Sequence, residues 1–497
     1  MRKPLILAGI TVLLAAGPAM AQENRPRSFV IVGATVAEGS TRPPRKANVR
    51  VRGDRIVDVG NFKPRTSEPI VDGEGLLLAP GFIDPHNHST EGLETEPAAA
   101  SQVSQGITTV VLGQDGGSPW PIAEYLEARR KGPPAVNVVM MVGHATVRQQ
   151  VMGDDFRRAA TAEEIARMTA LVEQGMKEGA SGLSSGLEYE VGSYATTEEV
   201  VALARVAAKH KGLYISHIRD EADRTLEAVR EVITIAEQAR IPAQITHIKL
   251  GTVGVWGKTA EVIRMVEEAR SRGLDVTADC YPYTAWMSNL KVLVPNKQWK
   301  DPASVQKALA DVGGGKNITI AHLPSQPEYV GRNLEEIAHA AGISEIELYI
   351  RIVDDERAAI IGHTMTEEDM RAFYAQPWVM VSSDGGIGIA HPRGAGAYPR
   401  VLGRFVRQRQ WLTLTEAIRK MTSLPAQRFK LKDRGLIRKG MKADLVLFNA
   451  GVVLDNSTFT EPFKLADGIE KVFVNGVLVW NLGRATGERP GRVLPEK

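Results

Sequence analysis

The chain has 497 residues, 43% hydrophobic and 24% charged, with 61 basic against 58 acidic side chains. So even a balance, without basic clusters interleaved with aromatics, argues against nucleic acid or a charged membrane surface as partner. The single cysteine, Cys280, excludes an internal disulfide and leaves packing and bound metal to stabilise the fold.

At the N-terminus, Arg2 and Lys3 precede an apolar run over 5–16 and a small-x-small cleavage site, Ala19-Met20-Ala21. This is the pattern of a secretory signal over residues 1–21, too short to span a bilayer. The expectation is an exported, periplasmic protein with no membrane span after processing; a retained N-terminal anchor is the alternative. Residues 22–76 read as β-rich, with strands over 29–36, 48–51 and 55–59.

From 77 to 429 short apolar runs alternate with amphipathic stretches. Eight runs read as buried parallel strands: 78–84, 108–113, 137–143, 180–184, 213–218, 243–249, 275–280 and 378–383. Between them, Thr161-x-x-Glu164, Thr196-x-x-Glu199 and Thr413-x-x-Glu416 read as capping boxes that start helices. Eight alternations favour an α/β fold of the (β/α)8 TIM-like barrel type, with a doubly wound open sheet as fallback. No G-x-G-x-x-G follows an early strand, which weakens a dinucleotide reading. The stretch between the seventh and eighth strands is too long for a loop and reads as an insertion at about 285–357. Residues 430–497 return to β character, over 443–448 and 471–479, with Asn475-Gly476 as a hairpin turn. The two ends are expected to pair into one small β-sandwich domain.

Barrel enzymes carry their reacting groups at the C-terminal ends of the strands. Here those positions hold His86 and His88, Asp115, His144, Glu188, His217, His247 and Asp384. Imidazoles and carboxylates gathered at one mouth suit zinc or a similar divalent ion. His86-x-His88 is the sharpest local signal, because strand residues two apart point the same way. Taken singly, each residue has an ordinary reading. His217 and His247 could be satisfied core histidines, Glu188 a solvated loop acid, and Asp384 a turn residue before Gly385.

Further motifs run along the chain: Ala79-Pro-Gly-Phe-Ile-Asp-x-His-x-His88, Gly106-Ile-Thr-Thr-Val110, Gly182-Leu-Ser-Ser-Gly-Leu187, Asp275-Val-Thr-Ala-Asp279 with Tyr281-Pro-Tyr283, His391-Pro-Arg393, and Arg434-Gly-Leu-Ile-x-x-Gly-x-x-Ala-Asp-Leu445. Together they resemble the N-acyl-D-amino-acid deacylase (D-aminoacylase) branch of the amidohydrolase superfamily, over nearly the whole mature chain. The resemblance implies hydrolysis of the amide bond of N-acyl amino acids by metal-activated water, with one or two Zn2+ ions or another divalent metal. By resemblance, His217 and His247 hold a tight metal, and His86, His88 and Asp384 border a weaker one. The family's usual cysteine after the second strand is replaced in Gly113-Gln-Asp-Gly116, so Asp115 stands where the thiolate would be. Either Asp115 or Glu188 is then the candidate bridge between two metals, with a single-metal site as the alternative.

In the implied mechanism Asp384 is general base and acid, and the second metal or His144 stabilises the oxyanion. Lys249, Tyr283 and Arg393 match the groups that grip the free carboxylate of a small-molecule substrate. Where a serine is expected six residues after Tyr283, Asn289 stands here, with Ser288 beside it. Arg219 is open between assisting the site and forming a structural ion pair. The competing functions are a dipeptidase or cyclic-amide hydrolase on the same scaffold, and a non-catalytic periplasmic binding protein.

Overall fold

The structure, a computed structural model, describes residues 28–496. The signal segment expected over 1–21 lies outside the described residues. Among the described residues no helix is long and apolar enough to cross a membrane.

Eight strands build the central barrel: β1 (Phe82–Asp84), β2 (Ile107–Leu112), β3 (Asn137–Met140, resuming as Val142–Gly143), β4 (Gly182–Gly186), β5 (Leu213–His217), β6 (Ala243–Ile245), β7 (Val276–Cys280) and β8 (Val379–Val381). Every residue in them is buried, as strands covered on both faces require. Neighbours pair in parallel in chain order. The seam between β8 and β1 closes just beyond their ends. There Asp384 N donates to His86 O at 3.0 Å and His88 N to Gly385 O at 2.7 Å. The Asp84 carboxylate adds bonds from Ser383 N at 2.9 Å and Ser383 Oγ at 2.5 Å. The seam therefore runs through the candidate site itself.

Two strands depart from the expectation. The run read as one strand over 78–84 is cut at Gly81. Leu77–Pro80 joins the sheet of the chain ends and only Phe82–Asp84 enters the barrel. A side chain at Gly81 would meet Thr108 Oγ1 at 2.2 Å, so this crossing needs glycine. The first half of β3 pairs on one side with β2 and on the other with Val493–Leu494, near the end of the chain, while only its second half reaches β4.

The two chain ends form two sheets. One runs in the order Arg55–Gly60, Asn48–Arg52, Ser28–Val32, Ile70–Asp72; the other interleaves Thr35–Val36 and Leu77–Pro80 with Leu445–Phe448 and the hairpin Ile469–Val474/Val477–Asn481. Ile31, Val49, Val51, Leu445, Leu447 and Phe473 share their core. The hairpin turns at Asn475 and Gly476, both with positive φ (48° and 76°), as its two-residue loop demands. Between β7 and β8 an antiparallel three-stranded sheet (Trp286–Ser288, Ile318–His322, Ala359–Gly362) and short helices lean over the barrel mouth.

Of the three expected capping boxes, those at Thr161 and Thr413 are complete. Thr196 caps the helix Thr197–Lys209 through Glu199 N, but Glu199 does not reciprocate. Its carboxylate is held elsewhere.

Candidate metal centre

Six of the anticipated side chains converge at the C-terminal rim of the barrel. His86 Nε2 lies 3.1 Å from His88 Nε2 and 3.3 Å from Asp384 Oδ1, and His88 Nε2 lies 3.1 Å from the same oxygen. Across the mouth His217 Nδ1 stands 2.9 Å from His247 Nε2. Asp115 sits between the two groups. Its Oδ1 is 3.4 Å from His86 Nε2 and 3.7 Å from His247 Nε2, and its Oδ2 is 3.5 Å from His88 Nε2 and 4.0 Å from His217 Nδ1. Donors about 2 Å from a tetrahedral ion lie about 3.3 Å from one another, so this is the spacing of ligands.

The donor set passes an independent test of fit. Asp115 Oδ1 is buried and has no hydrogen-bond partner, a costly arrangement unless a cation satisfies it. Ring nitrogens facing each other at 2.9–3.1 Å likewise need a proton or a cation between them. Electrostatics agree. Burial opposes charge on Asp115, but His86 and His247 outweigh it and hold the carboxyl well below its usual range. Burial is likewise outweighed at Asp384, by Arg393, His86 and His247. His86 is raised, its burial overcome by Asp115 and Asp384. Asp115, His247 and Asp384 all have left-handed backbone (φ 52°, 34° and 47°), a conformation held only where the surroundings enforce it.

Glu188 is not among the inward-facing donors. Its Oε2 lies 2.9 Å from Nε2 of His217, the ring nitrogen opposite the one that faces Asp115 and His247. The bridging role considered for Glu188 is thereby corrected, because its carboxylate backs a histidine rather than facing both halves. Glu221, missed in the sequence reading, does the same for His247, with Oε1 3.1 Å from Nδ1. Carboxylates on the far nitrogens of ligating histidines fix tautomer and ring orientation. Burial pushes the Glu188 carboxyl up. Glu221, though equally buried, is lowered by Lys249, His217 and His247. Glu221, His217 and His247 also have ligand-like spacing. That place already holds a cation, since Lys249 Nζ stands 2.6 Å from Glu221 Oε1 and 2.9 Å from His247 Nδ1. An acid four residues after a strand-end histidine was the available signal.

Three other expectations are corrected. His144 opens the helix His144–Met152, and its side chain turns away from the mouth to place Nε2 2.9 Å from Glu199 Oε1. Arg148 binds the other oxygen of Glu199, which is why the third capping box stays half-formed. Tyr283 points behind the site, its hydroxyl 3.3 Å from Pro392 O and 3.5 Å from Asp455 Oδ2. The tyrosine beside both cations is Tyr281, with Arg393 Cζ 4.8 Å and Lys249 Nζ 5.8 Å from its ring centre. Asn289 caps the turn Leu290–Leu293 by accepting from Lys291 N at 2.9 Å; Ser288 lines the cavity instead. Arg219 is a structural ion pair, with Nε and Nη2 each 2.7 Å from the Glu231 carboxylate.

A cavity of about 310 Å³ opens over five of the six donors, all but His86, with Lys249, Arg393 and Tyr189 on its wall. Arg393 is 4% exposed, and its Nε and Nη1 have no hydrogen-bond partner. Its Nη1 lies 2.7 Å from Asp384 Oδ2, close enough to attract without bonding geometry. A guanidinium that lines a cavity is suited to an incoming carboxylate.

The amidohydrolase family model matches residues 69–480. The chain belongs to the amidohydrolase family. It is 36% identical to a D-aminoacylase of Alcaligenes xylosoxydans xylosoxydans, over 95% of this chain and 98% of that protein. Among solved structures, this amidohydrolase resembles a D-aminoacylase examined for its binuclear metal centre (TM-score 0.85, 35% identity, covering 94% of this chain and 99% of that one). It also resembles an N-acyl-D-glutamate deacylase of Bordetella bronchiseptica complexed with zinc and a phosphonate inhibitor (TM-score 0.86, 32% identity, 95% and 100% covered).

Proposed function

We propose that this amidohydrolase cleaves the amide bond of N-acyl amino acids, of the N-acyl-D-amino-acid type, with zinc at the centre described above. The observation that carries the reading is a six-donor cluster, five of whose members line one cavity together with two buried cations, Lys249 and Arg393. His86, His88, Asp115 and Asp384 would hold one ion, and Asp115, His217 and His247 another. A divalent ion held there supplies a hydrolytic nucleophile at neutral pH by acidifying water. The protein does the rest. Arg393 and Lys249 take the substrate's free carboxylate and so fix the acyl carbonyl against the donor cluster. Asp384, ionised and beside both half-sites, accepts the nucleophile's proton as the new C–O bond forms. It returns that proton to the nitrogen as the C–N bond breaks, releasing a carboxylic acid and a free amino acid.

The test is amine release from N-acetyl D- and L-amino acids by zinc-loaded enzyme, with dipeptides as the competing substrates. Turnover of the N-acetyl-D series is expected; release from dipeptides alone would overturn the reading. We infer in addition that the protein works in the periplasm, supported by Arg2, Lys3, the apolar run over 5–16 and Ala19-Met20-Ala21. Expressed from its full sequence, the mature protein should begin near Gln22 in a periplasmic fraction. An intact Met1 in the cytosol would contradict export.

A further inference from the structure

An N-acyl amino acid has three arms: the acyl group that reacts, the α-carboxylate, and the side chain. The first two are provided for by the donor cluster and by Arg393 with Lys249. The same cavity has a wall built by the segment between β7 and β8. It is formed by Trp286, Met287, Val292, Leu293, Pro295 and Val312, all lining the same cavity. Trp286, Leu293 and Val312 are nearly fully buried, while Met287 and Val292 are half-buried.

Charge at this wall is as informative as its apolarity. Lys249 and Arg393 are the only lysine or arginine lining the cavity among the described residues. Both are assigned to the α-carboxylate and each is already paired, Lys249 with Glu221 at 2.6 Å and Arg393 Nη1 with Asp384 Oδ2 at 2.7 Å. The next cations, Lys291 and Lys297, line the adjoining groove instead. Lys291 is tied to Glu190 at 2.8 Å, and Lys297 lies over the Tyr194 ring with Nζ 3.2 Å from Ser193 O. A second carboxylate on the substrate would therefore be buried without a partner. A cationic side chain fares no better. Of the acids lining the cavity outside the donor cluster, Asp311 is engaged by Lys307 at 2.8 Å, Glu188 by His217 at 2.9 Å and Glu221 by Lys249 at 2.6 Å.

Resting on the deacylase reading, we propose that this segment selects N-acyl amino acids with an apolar side chain and rejects acidic ones. In this it differs from what the name of the similar N-acyl-D-glutamate deacylase implies for that enzyme.

The experiment ranks kcat/KM for N-acetyl-D-leucine, -methionine, -phenylalanine, -glutamate, -aspartate and -lysine on the zinc-loaded enzyme. An apolar member should exceed both acidic ones by about 100-fold or more, the scale on which a pocket discriminates when a polar group goes unpaired. Met287→Lys, at a half-buried position on the wall, should narrow that ratio at least tenfold by raising turnover of the acidic substrates. Glutamate, aspartate or lysine ranking first would overturn the proposal, as would an unchanged ratio in M287K. If no compound is hydrolysed, the same series is ranked by calorimetric affinity for the wild-type enzyme. Apolar members binding best would then uphold the selection while the deacylase reading falls. Absence of both turnover and binding would overturn both.

Discussion

Glu188→Gln separates a metal ligand from a carboxylate that only backs one. The substitution keeps size and shape and removes the negative charge of the Glu188 carboxylate, whose Oε2 lies 2.9 Å from His217 Nε2. If Glu188 bridged two ions, its loss would remove an ion from the protein at any zinc concentration. The geometry instead leaves Nδ1 of His217 and both oxygens of Asp115 facing inward. The effect should then be on basicity and ring orientation alone. Such outer carboxylates are worth about 10–100-fold in metal affinity, or about 1.4–2.7 kcal/mol. Zinc content at saturation, after removal of free metal, should match the wild type. Competition against a chromophoric chelator should show weakening within that range. A drop in stoichiometry at saturating zinc, or an affinity unchanged within twofold, would refute the assignment.

Asp384→Asn should keep the ion held by His217 and His247, weaken the one that Asp384 helps to hold, and lose about 100- to 10,000-fold in kcat, the usual range for a general acid–base group; near-normal turnover would remove Asp384 from that role. His144→Ala should leave kcat per bound metal within about twofold while costing about 1–3 kcal/mol of stability, because the fully buried Glu199 carboxylate loses a partner. A large fall in kcat with an unchanged melting temperature would return His144 to the site. Burial opposes ionisation of Asp54, but Lys442 at 2.8 Å and Arg492 at 2.7 Å outweigh it and hold the carboxyl down to about 2. A lowered acid stabilises the fold above its unfolded pKa and loses that contribution as pH falls through the folded one. Asp54→Asn should therefore lower stability by about 1 kcal/mol at neutral pH, after allowance for partial exposure, with the difference vanishing between pH 4 and 2. A difference that persists at pH 2 would rule the ion pairs out as its origin.

How far the site was legible varied with what each residue's position depends on. His86, His88, His217, His247, Asp115 and Asp384 could be found because each ends or follows an apolar run, and parallel strands of a closed barrel deliver all such ends to one rim. Glu221 was within reach, four residues past His217, but nothing local distinguishes it from a solvated loop acid. Tyr281 and Tyr283 look alike in sequence, and only packing sends one toward Arg393 and the other toward Asp455.

Period, strand-end chemistry and turn residues are properties of consecutive residues, so the amino-acid order alone determined the barrel, the pairing of the two chain ends and the inward-facing donors. Which ring nitrogen faces which carboxylate depends instead on neighbours tens to hundreds of residues away. So do the splitting of the first strand at Gly81, the pairing of Val493–Leu494 with β3 and the withdrawal of His144 to Glu199. Those were decided only once the strands had closed, because burial obliges each polar group to find its partner wherever the tertiary structure supplies one.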